Sequence, residues 1–261
     1  MVFHSKDLAL IKQIQSFFNG IGEIYPISDS KIFYIVNSIE DLSKYIIPHF
    51  DKYTLYTQQR VNFLGFREIV YLMSRGEHLT SEGFIYILSL FADIPKDLKK
   101  AYPDLVPIKW GFYVPDDIED PHWIAGFVDR WPCFSVNKIK SKTCKSGYRV
   151  GLKFSILSPT TLEVGLFYLL RRYFLDCGKV KLNYRGSSKF VIGNFCDIKS
   201  HIIPFFSKYT LHSVNNIGFL NFCKVSTIID SKSHLTEEGL KQIDKIRSDM
   251  RKGIFTPMSK F

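Results

Sequence analysis

The chain lacks most of the features that would fix a compartment or a metal. Its five cysteines (Cys133, Cys144, Cys177, Cys196 and Cys223) are odd in number and never spaced C-x-x-C. That argues against a disulfide framework or a thiolate zinc site and favours reduced thiols in an intracellular compartment. The seven histidines include no H-x-x-x-H pair, so a histidine metal site has no support either. No apolar run approaches the ~20 residues of a membrane-spanning helix, and a soluble chain is expected. The opening Met1-Val2-Phe3-His4-Ser5-Lys6-Asp7 has neither the apolar stretch of a signal peptide nor the Arg-rich character of a transit peptide. Acid is the scarcer charge: 25 Asp+Glu face 35 Lys+Arg, a net charge of +10 that favours a polyanionic partner. Core-forming residues are plentiful. At 261 residues, 46% hydrophobic and 15% aromatic, the chain can build one large core or two ordinary ones, and disorder is not the default.

An internal repeat organises what is there. Ile46-Ile47-Pro48-His49-Phe50-Asp51-Lys52-Tyr53-Thr54-Leu55 matches Ile202-Ile203-Pro204-Phe205-Phe206-Ser207-Lys208-Tyr209-Thr210-Leu211. His78-Leu79-Thr80-Ser81-Glu82-Gly83 matches His234-Leu235-Thr236-Glu237-Glu238-Gly239 at the same offset of 156 residues. Sixteen identities fall in these thirty-eight ungapped positions. Upstream, Phe18 meets Phe174, Gly22 meets Gly178 and Asp41 meets Asp197. Two long copies read as related half-domains rather than a solenoid. Pro95, Pro103, Pro107, Pro115 and Pro121 punctuate the stretch between them. The expected division is residues 1–92, a tether over 93–120, and residues 121–261. Counterparts of residues 121–156 would lie before Met1, so the first copy is expected to lack its opening helix and first strand pair.

Within the second copy, Pro121–Asp129 reads as a short buried helix behind a proline. Phe134, Val136 and Lys138 then alternate with Ser135, Asn137 and Ile139, and Val150, Leu152, Phe154 and Ile156 with Arg149, Gly151, Lys153 and Ser155. This is a hairpin with one apolar and one polar, basic face. Residues 162–175 have helical spacing, and a second strand pair is expected around 178–182 and 189–192 with 184–187 as its turn. Asp197, Thr236 and its twin Thr80 read as helix N-caps. The class is therefore α+β, with the order helix, two strands, helix, two strands, helices.

Trp123-Ile124-Ala125-Gly126-Phe127-Val128-Asp129-Arg130-Trp131-Pro132-Cys133-Phe134 resembles the motif of the LAGLIDADG homing endonucleases, and both late repeated segments resemble recurrent stretches of their single-chain fungal mitochondrial members. The resemblance implies two pseudo-symmetric αββαββα halves. In each, Ala125- and Gly126-like small residues let motif helices approach, and a saddle-shaped sheet covers a DNA major groove. It also implies one acid per motif helix, the pair holding divalent metal between the scissile phosphates. Here Trp131 stands at the acid position and Pro132 where glycine is usual. Asp129, two residues earlier, points elsewhere on the helix and is expected to be a helix-terminal hydrogen-bonding residue rather than a substitute ligand. No catalytic carboxylate is left intact by this reading, and no cofactor is expected, with Mg2+ relevant only to residual nuclease activity.

The polar hairpin face supplies the candidate nucleic-acid contacts. Ser135, Asn137, Ser141, Arg149, Lys153 and Ser155 are the candidate readers, because a two-stranded ribbon fits the major groove and Asn and Arg match adenine and guanine edges. Lys138, Lys140, Lys142 and Lys145 are expected to meet phosphates, with Lys189 on the same face. Lys52-Tyr53 and Lys208-Tyr209 recur as either backbone anchors or helix-end cations on packed tyrosines. The leading expectation is a nucleic-acid-binding protein of this fold without cleavage activity, mitochondrial by resemblance. One alternative is RNA binding, as an intron maturase or a component of a mitochondrial ribosome or other ribonucleoprotein. Another is an endonuclease with displaced metal ligands. An incomplete first sheet would further call for a protein or nucleic-acid partner along its exposed edge.

Overall fold

The computed structural model describes residues 2–91, 96–111, 113–131, 133–144 and 146–253, which divide into two compact units, Met1–Pro115 and Asp116–Phe261. Strand β1 (Val2–His4), helix α1 (Leu8–Phe17) and strands β2 (Glu23–Ser28) and β3 (Lys31–Ile35) open the first unit. The strands form an antiparallel sheet in the order β1-β3-β2. Its inner face sets Ile32 and Tyr34 against Ile11 of α1, with Phe3 and Ile24 packed around them. Of the strand pair expected to be missing, one short strand is present as β1, which pairs Val2–His4 with Phe33–Lys31 and leaves only Tyr34 and Ile35 of that edge of β3 unpaired among the described residues.

Helices α2 (Ile39–Asp41), α3 (Ile47–Lys52), α4 (Thr57–Ser74) and α5 (Ser81–Leu90) follow, with a π-helical turn over Leu42–Ile46. Leu42, Ile47, Phe63 and Val70 make a second small core. Of the stretch expected to be a tether, the described residues 96–111 and 113–115 fall within this unit. The stretch contains helix α6 (Lys96–Ala101); the Ile108 amide donates to the Ser89 carbonyl, Arg60 lies 4.9 Å from the Tyr113 ring centre, and Tyr102 meets Phe84. Pro95 lies outside the described residues.

The second unit repeats the plan with its first strand pair present. Helix α7 (Pro121–Asp129) starts on Asp120, whose carboxylate accepts from the His122 amide at 2.8 Å, with proline in the first turn where no amide is needed. Strands β4 (Phe134–Lys140) and β5 (Tyr148–Ser158), helix α8 (Val164–Tyr173), and strands β6 (Lys179–Leu182) and β7 (Ser188–Ile192) follow. After α9 (Phe195–Asp197) and a second π-helical turn over Ile198–Ile202 come α10 (Ile203–Lys208), α11 (Asn215–Asp230) and α12 (Glu237–Gly253). The sheet order is β4-β5-β7-β6, all antiparallel. Its inner face carries Phe134, Leu152, Phe154, Ile156, Phe190 and Ile192, all buried, and Phe134, Phe154, Phe206, Phe219 and Phe222 interlock in edge-to-face and tilted ring pairs.

The repeated segments owe their likeness to shared local chemistry. Thr80 and Thr236 accept from the Gly83 and Gly239 amides at 3.0 and 3.1 Å, capping α5 and α12. A Cβ on either glycine would sit 2.0 Å from the carbonyl oxygen of Glu77 or Ser233, so only glycine fits. Asp197 is not the cap expected of it: Asn194 takes that role, accepting from the Cys196 amide, as Ser38 does in the first unit.

Candidate nucleic-acid interface

The pleat of the second sheet decides which side chains are available. Strand register aligns Ser135 with Lys153, Asn137 with Gly151 and Ile139 with Arg149. It continues with Ser155 opposite Val191, Leu157 opposite Lys189, and Lys179 and Lys181 opposite Val191 and Lys189. All of these lie on the face opposite the phenylalanine core. Five are cations (Arg149, Lys153, Lys179, Lys181 and Lys189) and none is an acid. The crowding has an electrostatic signature: partial burial, then repulsion from Lys153 and Lys181, lowers the Lys189 pKa below the usual ammonium value. A polyanion laid on this face would relieve that repulsion.

Single residues differ in availability. Arg149 and Ile139 are exposed beside each other, and a Cβ at Gly151 would meet nothing within 4 Å, so the space over Asn137 is open. The Ser135 hydroxyl donates to the Lys153 carbonyl at 3.1 Å and is partly occupied by its own sheet. Ser155 is half-buried between neighbours on this face. Ser141 and Lys142 lie in the hairpin loop, where Ser141 pairs with Thr143 at 3.0 Å and Lys142 is exposed; Lys145 lies outside the described residues.

Lys138 is a correction. The alternation that turns Phe134 and Val136 inward turns Lys138 inward too, and its ammonium donates to Asp244 of α12 at 2.6 Å and lies 4.3 Å from the Tyr148 ring centre. The side chain is only 10% exposed. That hydrogen bond holds the Asp244 carboxyl below its usual pKa, with Arg247 assisting. Lys138 therefore fastens β4 to the last helix instead of facing a phosphate. Lys140 shares its parity but is exposed at the strand end. Lys179 and Lys181 are additions that the alternation around Val180 would have revealed. Lys52 and Lys208 sit 5.2 and 5.1 Å from the ring centres of Tyr53 and Tyr209, at the ends of α3 and α10.

At the end of α7, Asp129 holds the turn that leads into α11. Its carboxylate accepts from the backbone amides of His212 and Ser213 at 2.7 and 2.9 Å and from the Ser213 hydroxyl at 2.5 Å. Its carbonyl oxygen accepts from the Asn215 side chain. The carboxylate thus ties the motif helix to the start of α11. Trp131 follows, half-buried, with the Arg130 guanidinium 5.1 Å from its ring centre. An indole offers no ligand to a hard cation and a guanidinium repels one, so the residues at this helix end do not fit a divalent metal. Pro132 lies outside the described residues. Ala125 is buried, whereas Gly126 is exposed and a Cβ there would meet nothing within 4 Å among the described residues.

A duplicated α+β chain whose halves each set helices behind one antiparallel sheet, with a short helix ending in an acidic anchor, defines a class of fold. The sequence profile of the LAGLIDADG endonucleases matches residues 1–70 and 124–226, and the chain belongs to that family. It is similar to probable intron-encoded endonuclease 3 of Neurospora crassa, 34% identical over 92% of this chain and 46% of that protein. It is also similar to probable intron-encoded endonuclease 2 of the same fungus, 31% identical over 95% of this chain and 56% of that protein. The chain spans about half the length of these curated relatives. Among solved structures, the LAGLIDADG homing endonuclease I-SmaMI bound to cleaved DNA superposes with a TM-score of 0.89 at 35% identity, over 98% of this chain and 86% of that one. I-CpaMI bound to uncleaved DNA gives 0.87 at 31%, over 96% and 86%. Among the described residues, no helix is long and apolar enough to cross a membrane.

Proposed function

We propose that this chain binds duplex DNA through the basic face of its second sheet and does not cleave it by the two-acid metal mechanism. The observation that carries the first half is the acid-free set Arg149, Lys153, Lys179, Lys181 and Lys189 on one sheet face. The second half rests on Trp131 at the acid position and on the occupied carboxylate of Asp129. DNA complexes of the I-SmaMI and I-CpaMI endonucleases support duplex DNA as the ligand class, and the intron-encoded relatives support an origin within an intron.

The deciding experiment follows binding of the full chain to a randomised duplex pool and to structured RNA over a salt series, with Mg2+ present and products monitored. Duplex binding that weakens steeply with salt and leaves the strands intact is expected. Changing Lys153, Lys181 and Lys189 together to alanine should flatten the slope of log affinity against log salt by about 2.7, near 0.9 for each phosphate no longer neutralised. Preferential RNA binding would replace the DNA reading with a maturase or ribonucleoprotein role. Specific cleavage would mean that metal ligands lie elsewhere in the chain.

A further inference from the structure

The two halves keep one core and present different outer faces. The 156-residue offset sets Glu23 on Lys179, Tyr25 on Lys181, Phe33 on Lys189 and Ile35 on Val191. Register confirms the correspondence: Glu23 pairs with Ile35 and Tyr25 with Phe33, as Lys179 pairs with Val191 and Lys181 with Lys189. Each lysine that β6 and β7 bring to the second face is thus an acid or an aromatic ring on the first. Tyr25 is 47% exposed and Phe33 is half-buried, both turned away from the small core of Ile11, Ile32 and Tyr34. Lys31 at the far end of β3 balances Glu23, so the face carries little net charge, and His4 beside Lys31 has its Nδ1 occupied by the Lys6 amide.

Such a face cannot draw its affinity from phosphates. Along the major groove, a base edge offers one apolar group, the thymine methyl, and aromatic or aliphatic side chains on a strand pair are its natural partners. Resting on the duplex-binding reading above, we propose that the first sheet reads thymine methyl groups through Tyr25 and Phe33, while the second supplies the ionic share of affinity. The repeat makes this the specific expectation. The first unit holds the same strand pair as the proposed interface, with rings where that interface has ammonium groups.

The test uses whatever duplex the full chain selects from a randomised pool. That duplex is remade with deoxyuridine replacing each thymidine in turn, which deletes one methyl and nothing else. Burial of one methyl is worth about fourfold in affinity, so uridine at the thymines under Tyr25 and Phe33 should weaken binding by about that factor. In the chain carrying Tyr25→Ser and Phe33→Ala the same replacements should cost nothing, with salt dependence unchanged. Uridine without effect at every thymine, or an equal penalty in both proteins, overturns the proposal while leaving duplex binding intact. A double variant that instead changes the oligomeric state in sedimentation would assign the face to a second copy of the chain and also overturn it. Failure to select any duplex removes the underlying binding reading itself. Because the uridine series uses the unmodified protein, it reads the contact even where the variant folds poorly.

Discussion

Replacing Asp129 by alanine separates an anchor from a metal ligand. The change removes one carboxylate and, with it, acceptors for two backbone amides and one hydroxyl at the start of α11. Those amides lie in the turn just before α11, whose N-cap is Val214, so what is lost is a set of hydrogen bonds to a carboxylate and not a helix cap. Hydrogen bonds to an ionised acceptor are worth about 1.5–3 kcal/mol, reduced here because water reaches the half-buried site. A loss of about 2 kcal/mol follows, which is a fall in melting temperature of roughly 4–8 °C for a chain of this size. Asp129→Asn should recover most of it, since its amide oxygen can take the place of Oδ2 and accept from both backbone amides while its NH2 group faces only the Ser213 hydroxyl. Thermal melts of the three proteins give the stability, and binding to a selected duplex gives the function. Unchanged stability in Asp129→Ala, together with loss of a Mg2+-dependent cleavage that the natural chain shows, would refute the anchor and make Asp129 a ligand after all.

Other expectations follow from the same geometry. Lys138→Ala should weaken the hold of α12 on the sheet by about 1 kcal/mol in denaturant melts, since Asp244 is half exposed, while leaving the salt slope of binding unchanged. Gly83→Ala and Gly239→Ala should each destabilise by about 1–3 kcal/mol, because the added Cβ meets a backbone oxygen at 2.0 Å and the capped turn must open; far-ultraviolet melts check both. His49 stands where the second unit has Phe205, inside a ring cluster with Phe17, Phe18 and Phe50. Burial, then the nearby Lys52, lowers its pKa below 6.5, so the unfolded chain takes up a proton at a higher pH than the folded one. Stability is therefore full above pH 6.5 and declines as pH falls towards the folded value. Melting from pH 7.5 to 5 should show this decline reduced in His49→Phe.

Much of this was legible in the sequence because strands and repeats write their rules openly. Alternation from Phe134 to Val136 and from Val150 to Ile156 located both faces of the hairpin, and the twin H-L-T-x-E-G segments marked two capped turns. Lys138 obeyed the same alternation, but its charge argued for a phosphate while its parity pointed inward, and parity decided. Lys179 and Lys181 were overlooked because their one signal is the alternation around Val180 in a strand of four residues. The stretch before Pro115 showed its prolines more plainly than the ring contacts of Tyr102 and Tyr113 that hold it down. No local pattern reveals what Asp129 grips, since His212 and Ser213 lie more than eighty residues away in the chain.

On the proposed reading, the matched registers of β2–β3 and β6–β7 also make recognition separable from folding. Both hairpins leave a glycine with positive φ, Gly22 or Gly178, and pair residue for residue from there until β2 bulges after Pro26. Four outward side chains on one hairpin therefore have four addresses on the other, and neither set touches the core behind it. Exchanging Glu23, Tyr25, Phe33 and Ile35 with Lys179, Lys181, Lys189 and Val191 would transplant a surface without redesigning a scaffold. A chain built this way can acquire a new preference in one half while the other keeps its hold, so the duplication acts as a store of variation as well as a source of size.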